Sequence, residues 1–170
     1  MMNLKNTKSA KRKPTVLDLF SGCGGLSYGF EKAGYRILAG LDNWDVALKS
    51  FKRNHENAKI FCGDIEKLSP SKVSSNFLKK EIVDVIVGGP PCQGFSISGK
   101  RDVNDYRNTL YKTFVNYVDY FKPKAFVMEN VPNILSIDEG KVKDKIISDF
   151  TKLGYTVSYS TLLASDFGVP

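Results

Sequence analysis

Ile82-Val83-Asp84-Val85-Ile86-Val87-Gly88-Gly89-Pro90-Pro91-Cys92-Gln93-Gly94-Phe95-Ser96 reads as a buried strand running into a stiff turn. Residues 82–87 form a short, β-branched apolar run of the kind covered on both faces in a parallel sheet. Gly88 and Gly89 stop the strand. Pro90 and Pro91 each fix their own φ and restrict the residue before them. A cysteine on so stiff a backbone, at the carboxyl end of an α/β strand, stands where open sheets place their ligands. One reading of Cys92 is a small hydrophobe packed beside a turn. The other is an exposed nucleophile, favoured by Gly and Pro on both sides and by the polar segment that follows.

Working outward from this stretch, strands and helices alternate. Toward the N-terminus the sequence predicts a helix over 71–80 and a short strand over 58–62 that ends at Gly63-Asp64-Ile65. Before these come a helix over 44–54, with Val46, Ala47, Leu48 and Phe51 for packing, and a strand over 36–41 ending at Asp42. The first unit is a strand over 15–20, the turn Ser21-Gly22-Cys23-Gly24-Gly25, and a helix over 26–33 with Gly34 as its C-cap. Toward the C-terminus, 97–108 is polar and aperiodic and reads as a long loop. Gly99 can hinge it, and Lys100, Arg101 and Arg107 are placed to meet phosphates. Leu110, Phe114, Val118 and Phe121 recur at helical spacing over 109–121. A strand over 124–128 ends at Glu129-Asn130-Val131-Pro132, an amphipathic helix covers 141–153, and an alternating β-rich segment over 155–163 reads as a final strand. This order predicts an α/β fold with a doubly wound, mainly parallel, Rossmann-like sheet.

Composition sets the class. The chain has 170 residues, 42% apolar and 25% charged, enough for one domain with a real core. No apolar run is long enough to span a membrane, and no apolar region follows the basic N-terminus as a secretory signal requires. Cys23, Cys62 and Cys92 lie far apart with no C-x-x-C pair. That argues against a zinc site or a disulfide framework, so no metal is expected, and for a reducing, cytoplasmic setting. The net charge is +7, of which Lys5, Lys8, Lys11, Arg12 and Lys13 supply five; the rest of the chain carries +2. Residues 1–14 read as a basic, disordered leader with weak attraction for nucleic acid. Residues 15–170 read as the folded domain.

The strand ends carry the chemistry. A strand bearing Asp18, a glycine-rich bend and a helix let a ligand approach the backbone closely. The bend does not make a dinucleotide fingerprint, because the third glycine would fall at Ser27. Asp42 is placed to accept from ribose hydroxyls. Trp44 suits stacking on adenine, or else core packing. Asp64 and Ile65 suit an adenine edge, a carboxylate for the amino group and an apolar wall, although Asp64 would serve equally as an N-cap. Glu129 ends a strand that should neighbour the Cys92 strand, so the two are expected in one pocket. The alternative is a carboxylate capping the next turn. A carboxylate beside a thiolate raises the thiol pKa, so the pairing works best with the carboxyl protonated or bonded to substrate.

Three strings resemble one family. Asp18-Leu19-Phe20-Ser21-Gly22-Cys23-Gly24-Gly25-Leu26-Ser27-Tyr28-Gly29-Phe30, residues 88–96, and Glu129-Asn130-Val131 look like motifs I, IV and VI of the DNA cytosine-5 methyltransferases, in that family's order and spacing. The resemblance implies S-adenosylmethionine on a methyltransferase-type sheet and a cytosine flipped out of the duplex. It implies that Cys92 attacks C6, that Glu129 protonates N3, and that C5 then takes the methyl group. Loss of the C5 proton and expulsion of Cys92 follow. It further implies cofactor contacts from Phe20, Gly22, Gly24 and Leu110. Substrate contacts are implied from Pro91, Gln93, Ser96, Asn130 and Val131. A restriction-modification role is expected with these.

Two departures qualify the resemblance. The acidic residue that often precedes the motif II tryptophan is here Asp42, two positions before Trp44, with Asn43 adjacent. The family's Arg pair after Gly-Val-Pro does not appear before the last residue, Pro170. The chain is therefore expected to be a C-terminally truncated catalytic piece without a target-recognition domain. It would need a second polypeptide for sequence-specific methylation. The alternatives are a tRNA cytosine-5 methyltransferase, which tends to differ just after Pro-Pro-Cys, and a noncatalytic adenosyl-ligand-binding remnant.

Overall fold

The computed structural model describes residues 12–91 and 110–169. Its centre is a five-stranded, wholly parallel sheet of β1 (Thr15–Leu19), β2 (Arg36–Asp42), β3 (Lys59–Cys62), β4 (Val85–Gly88) and β5 (Ala125–Met128), in the order β3-β2-β1-β4-β5. The chain winds outward from β1 to β3, then returns to place β4 on the other side of β1. The direction reverses between β1 and β4, and that switch point opens a crevice at the carboxyl ends of these two strands.

Alternation within the strands builds two cores. Val16, Ile37, Val85 and Val87 meet Leu48 and Phe51 of α2 (Asp45–Asn54), with Leu26 and Phe30 of α1 (Gly25–Lys32) packed alongside. Leu17, Leu19, Leu38 and Ile86 face the opposite way, toward Phe114, Tyr117 and Val118 of α4 (Leu110–Phe121) and Val142, Ile146 and Phe150 of α5 (Lys141–Lys152). All five residues of β1 are buried, as expected for a central parallel strand covered by helices on both faces.

Three expectations need correction. The helix expected over 71–80 is α3 (Pro70–Lys72) followed by a wide turn at Val73–Phe77, and the backbone reverses at Lys79 and Lys80 with positive φ. The reason is spacing. Val73 and Leu78 are both 1% exposed, and a bond from Leu78 N–H to Val73 O at 2.9 Å brings these two, five residues apart, onto one face. Secondly, β4 begins at Val85 rather than Ile82, which is 64% exposed. Buried Asp84 intervenes, accepting from Thr15 N–H and Thr15 Oγ1, both at 2.9 Å. Arg12 and Lys124 pair with the same carboxylate, so the end of the basic leader is anchored to the base of the sheet. Thirdly, 155–163 forms no strand. Its alternation turns Tyr155 and Val157 onto the core, and Tyr155 Oη donates to Pro123 O at 2.7 Å. No ladder partner is present among the described residues, and an unpaired extended segment is not a strand.

Candidate active site

The crevice at the switch point holds a cavity of about 220 Å³ lined by Phe20, Leu41, Asp42, Asn43, Gly63, Asp64, Ile65, Gly89, Pro91 and Leu110. These residues end or follow β1, β2, β3 and β4 and open α4, so four strand ends and one helix converge on it. Asp42, Asn43 and Asp64 supply polar groups; Phe20, Leu41, Ile65 and Leu110 supply apolar wall. A carboxylate and an amide beside apolar surface can hold hydroxyls and an amino group around a flat hydrophobic ring.

Glu129 approaches the same crevice from the neighbouring strand. Its backbone N–H donates to Gly88 O at 3.0 Å. A Cβ on Gly89 would stand 2.8 Å from Glu129 Oε2, so only glycine lets the carboxyl reach across the end of β4. Asn130 Nδ2 donates to Pro90 O at 2.8 Å, and Asn130 Oδ1 accepts from Val131 N–H at 3.0 Å. Asn130 thus ties the β5 end to the proline turn. Val131 is exposed beside it.

The glycine-rich turn is tied on two sides. Asp42 Oδ2 accepts from Gly22 N–H at 2.8 Å and Asp42 Oδ1 from Trp44 N–H at 2.9 Å. The carboxylate expected to meet ribose therefore also couples the β1 turn to the β2 turn. Beneath the turn, Asp18 is 1% exposed and Ser27 Oγ donates to its Oδ2 at 2.6 Å. Burial pushes the Asp18 carboxyl up to about 7, against the lowering effects of the Ser27 bond and the His55 charge. Ser27 thus has a structural reason to stand where a dinucleotide fingerprint has glycine.

Of the expected cofactor contacts, Phe20, Asp42, Asp64, Ile65 and Leu110 line the cavity, together with Pro91 from the substrate set. Gly22 and Gly24 lie in the adjoining turn rather than on the wall. Trp44 is 62% exposed at the start of α2, which excludes core packing. Asp64 also N-caps a 3₁₀ turn at Ile65–Lys67, accepting from Glu66 N–H at 3.0 Å. Leu41, Asn43 and Gly63 are cavity residues that the motifs did not single out, and Gly89 joins them from the motif string over 88–96 without having been expected in the cofactor site. The signal available for Asn43 was its place at a strand end beside Asp42. Cys92, Gln93 and Ser96, and the loop 97–108, lie outside the described residues.

Comparison with known proteins decides the family. The family model for C-5 cytosine-specific DNA methylase matches residues 14–170. The chain belongs to this family. One relative, the type II methyltransferase M.DdeI of Desulfomicrobium norvegicum, is 44% identical over 158 residues, covering 91% of this chain and 37% of the relative. M.HindV of Haemophilus influenzae is 43% identical, over 91% of this chain and 48% of its own length. The mouse DNA (cytosine-5)-methyltransferase 1 is 34% identical across 97% of this chain and 11% of its own. Among solved structures, a protein described as a DNA modification methyltransferase of an E. coli prophage superposes with TM-score 0.72 at 31% identity, over 82% of this chain and 38% of that one. The chain therefore spans less than half the length of these relatives. Among the described residues, no helix is long and apolar enough to cross a membrane.

Proposed function

We propose that this methylase-family chain binds S-adenosylmethionine and carries the nucleophile for methyl transfer to C5 of cytosine in DNA. The observation behind this reading is the cavity at the β1/β4 switch point, where the family's cofactor residues meet beside Glu129. Its donor set suits the cofactor: carboxylates of Asp42 and Asp64 for hydroxyls and an amino group, Phe20, Ile65 and Leu110 as apolar walls, and exposed Trp44 for stacking. When bound, S-adenosylmethionine supplies an electrophilic methyl group on a sulfonium centre.

The remaining steps fall to the protein. Cys92, as a thiolate, adds to C6 of the flipped cytosine. The Glu129 carboxyl donates to N3, so the ring accepts the electron pair and C5 becomes nucleophilic. After C5 is methylated, the C5 proton is lost to solvent, its bonding pair forms the C5–C6 double bond, Cys92 leaves C6 as a thiolate, and the N3 proton returns to Glu129. Asn130 holds Pro90, two residues from Cys92, and so fixes the turn that presents the thiol. Pro91, Gln93, Ser96 and Val131 border the base. The type II relatives support a restriction-modification setting with DNA as substrate.

Titration calorimetry with S-adenosylhomocysteine tests the cofactor reading, and saturable one-to-one binding is expected. The chain is then mixed with the C-terminal part of a type II relative and with duplex DNA or tRNA containing 5-fluorocytosine. A denaturation-resistant adduct on DNA, absent with Cys92→Ser, is expected. An adduct on tRNA alone would move the substrate to RNA, and no adduct with either would refute the covalent step.

A further inference from the structure

We infer that the C-terminal end of α2, through Asn54 and His55, positions the glycine-rich turn for the cofactor; this rests on the cofactor reading above. Phe51, Asn54 and His55 stand at i, i+3 and i+4 and so share one helical face. That face meets the turn. Asn54 Nδ2 donates to Cys23 O at 3.0 Å, and His55 Nε2 lies 3.1 Å from Gly24 O. Two successive carbonyls of the turn are thus captured by two successive side chains. Gly24 O also accepts from Tyr28 N–H at 2.8 Å, the first bond of α1, so His55 grips the turn and the helix start together.

The His55 ring is locked into this geometry. It is 1% exposed, and its Nδ1 lies 2.7 Å from Glu31 Oε2. Glu31 and the Gly24 carbonyl thus hold the imidazole by its two ring nitrogens, and Phe51 lies against the ring at 4.6 Å between centroids. Gly24 has φ 90°, and a Cβ there would stand 2.6 Å from His55 Nε2. The absent side chain is what lets the imidazole reach the backbone.

The other end of α2 starts at Trp44, whose N–H is held by Asp42, and Asp42 also holds Gly22. The β2–α2 unit therefore grips the turn at two places: through Asp42 at the end of β2, on Gly22 beside the cavity, and through Asn54 and His55 at the end of α2. Rigidity at the turn lowers the ordering cost of ligand binding. Asn54 and His55 do not themselves line the cavity and are positioning residues.

The test uses the 170-residue chain, with S-adenosylhomocysteine as probe. Asn54→Asp keeps the shape but replaces the donor with an acceptor facing Cys23 O, at an exposed site where folding is retained. His55→Gln and Glu31→Gln probe the imidazole. Backbone amide exchange over 22–25 is read without ligand, and affinity and melting temperature are read in parallel. Asn54→Asp is expected to speed exchange over 22–25 and weaken binding about three- to tenfold, with melting temperature nearly unchanged. His55→Gln should weaken it more. Wild-type affinity in Asn54→Asp, with unchanged exchange, would overturn the inference while leaving the cofactor reading intact. No binding by the wild-type chain would overturn both.

Discussion

Asp18→Asn is the substitution whose effect follows most directly from the buried site. The wild-type carboxyl, ordinarily at 3.8, is pushed to about 7 by burial beneath the glycine-rich turn. In the unfolded chain it ionises near its ordinary value. Between these limits the folded protein holds one more proton than the unfolded chain, so stability falls as pH rises from about 4 to about 7. The slope is about 1.4 kcal/mol per pH unit, so the whole interval is worth about 4 kcal/mol. That is a large share of the roughly 5–15 kcal/mol that hold a domain together. The substituted amide cannot titrate. It adds at most a fixed offset of about 1–3 kcal/mol from an unpaired buried donor, since Asp18 Oδ1 has no partner among the described residues. Urea unfolding of both proteins from pH 4 to pH 8 reads the effect as the difference between the two curves, because titrating groups away from Asp18 are common to both. The wild type should lose about 4 kcal/mol relative to Asp18→Asn across this range, the loss ending near pH 7. Parallel stability curves would refute the reasoning and mean that water or relaxation solvates Asp18.

Three further outcomes are expected. Asp84→Ala strands the buried Thr15 N–H and should cost about 1–3 kcal/mol in urea unfolding at pH 7. Because Arg12, Lys124 and Thr15 hold the Asp84 carboxyl well below its ordinary range, the charge-dependent part of this contribution should begin to fall at about pH 4 and decline progressively at lower pH, toward the depressed pKa of the folded state. Trp44→Ala should leave the melting temperature unchanged, the indole being 62% exposed, and weaken S-adenosylhomocysteine binding by about 1–3 kcal/mol in calorimetry if it stacks on the adenine. Gly40→Ala places a Cβ 2.5 Å from the Phe51 ring and should cost about 1–3 kcal/mol of thermal stability by overpacking, which differential scanning calorimetry would register.

Local sequence was sufficient wherever one residue's chemistry or one period decides the outcome. The short apolar runs over 15–20, 36–41, 58–62, 82–87 and 124–128 became five strands in the expected chain order, because apolar strands covered by helices on both faces have few other arrangements. The strand-end reading named Asp42, Asp64 and Ile65, and the family resemblance added Phe20 and Leu110; all five line the cavity, because strand ends of a parallel sheet necessarily share one edge. What periodicity cannot carry is partnership across the chain. Residues 155–163 alternate as a strand does, yet pairing requires a neighbouring edge, and here the alternation serves only to turn Tyr155 and Val157 onto the core. Asp84 reads as one polar interruption in an apolar run until folding brings Thr15, Arg12 and Lys124 around it. Asn54 and His55 close a polar helix end in the sequence. Only the packing of α2 against β2 and β3 sets them against Cys23 O and Gly24 O, because hydrogen bonds between residues 31 positions apart exist only once the sheet has fixed both ends.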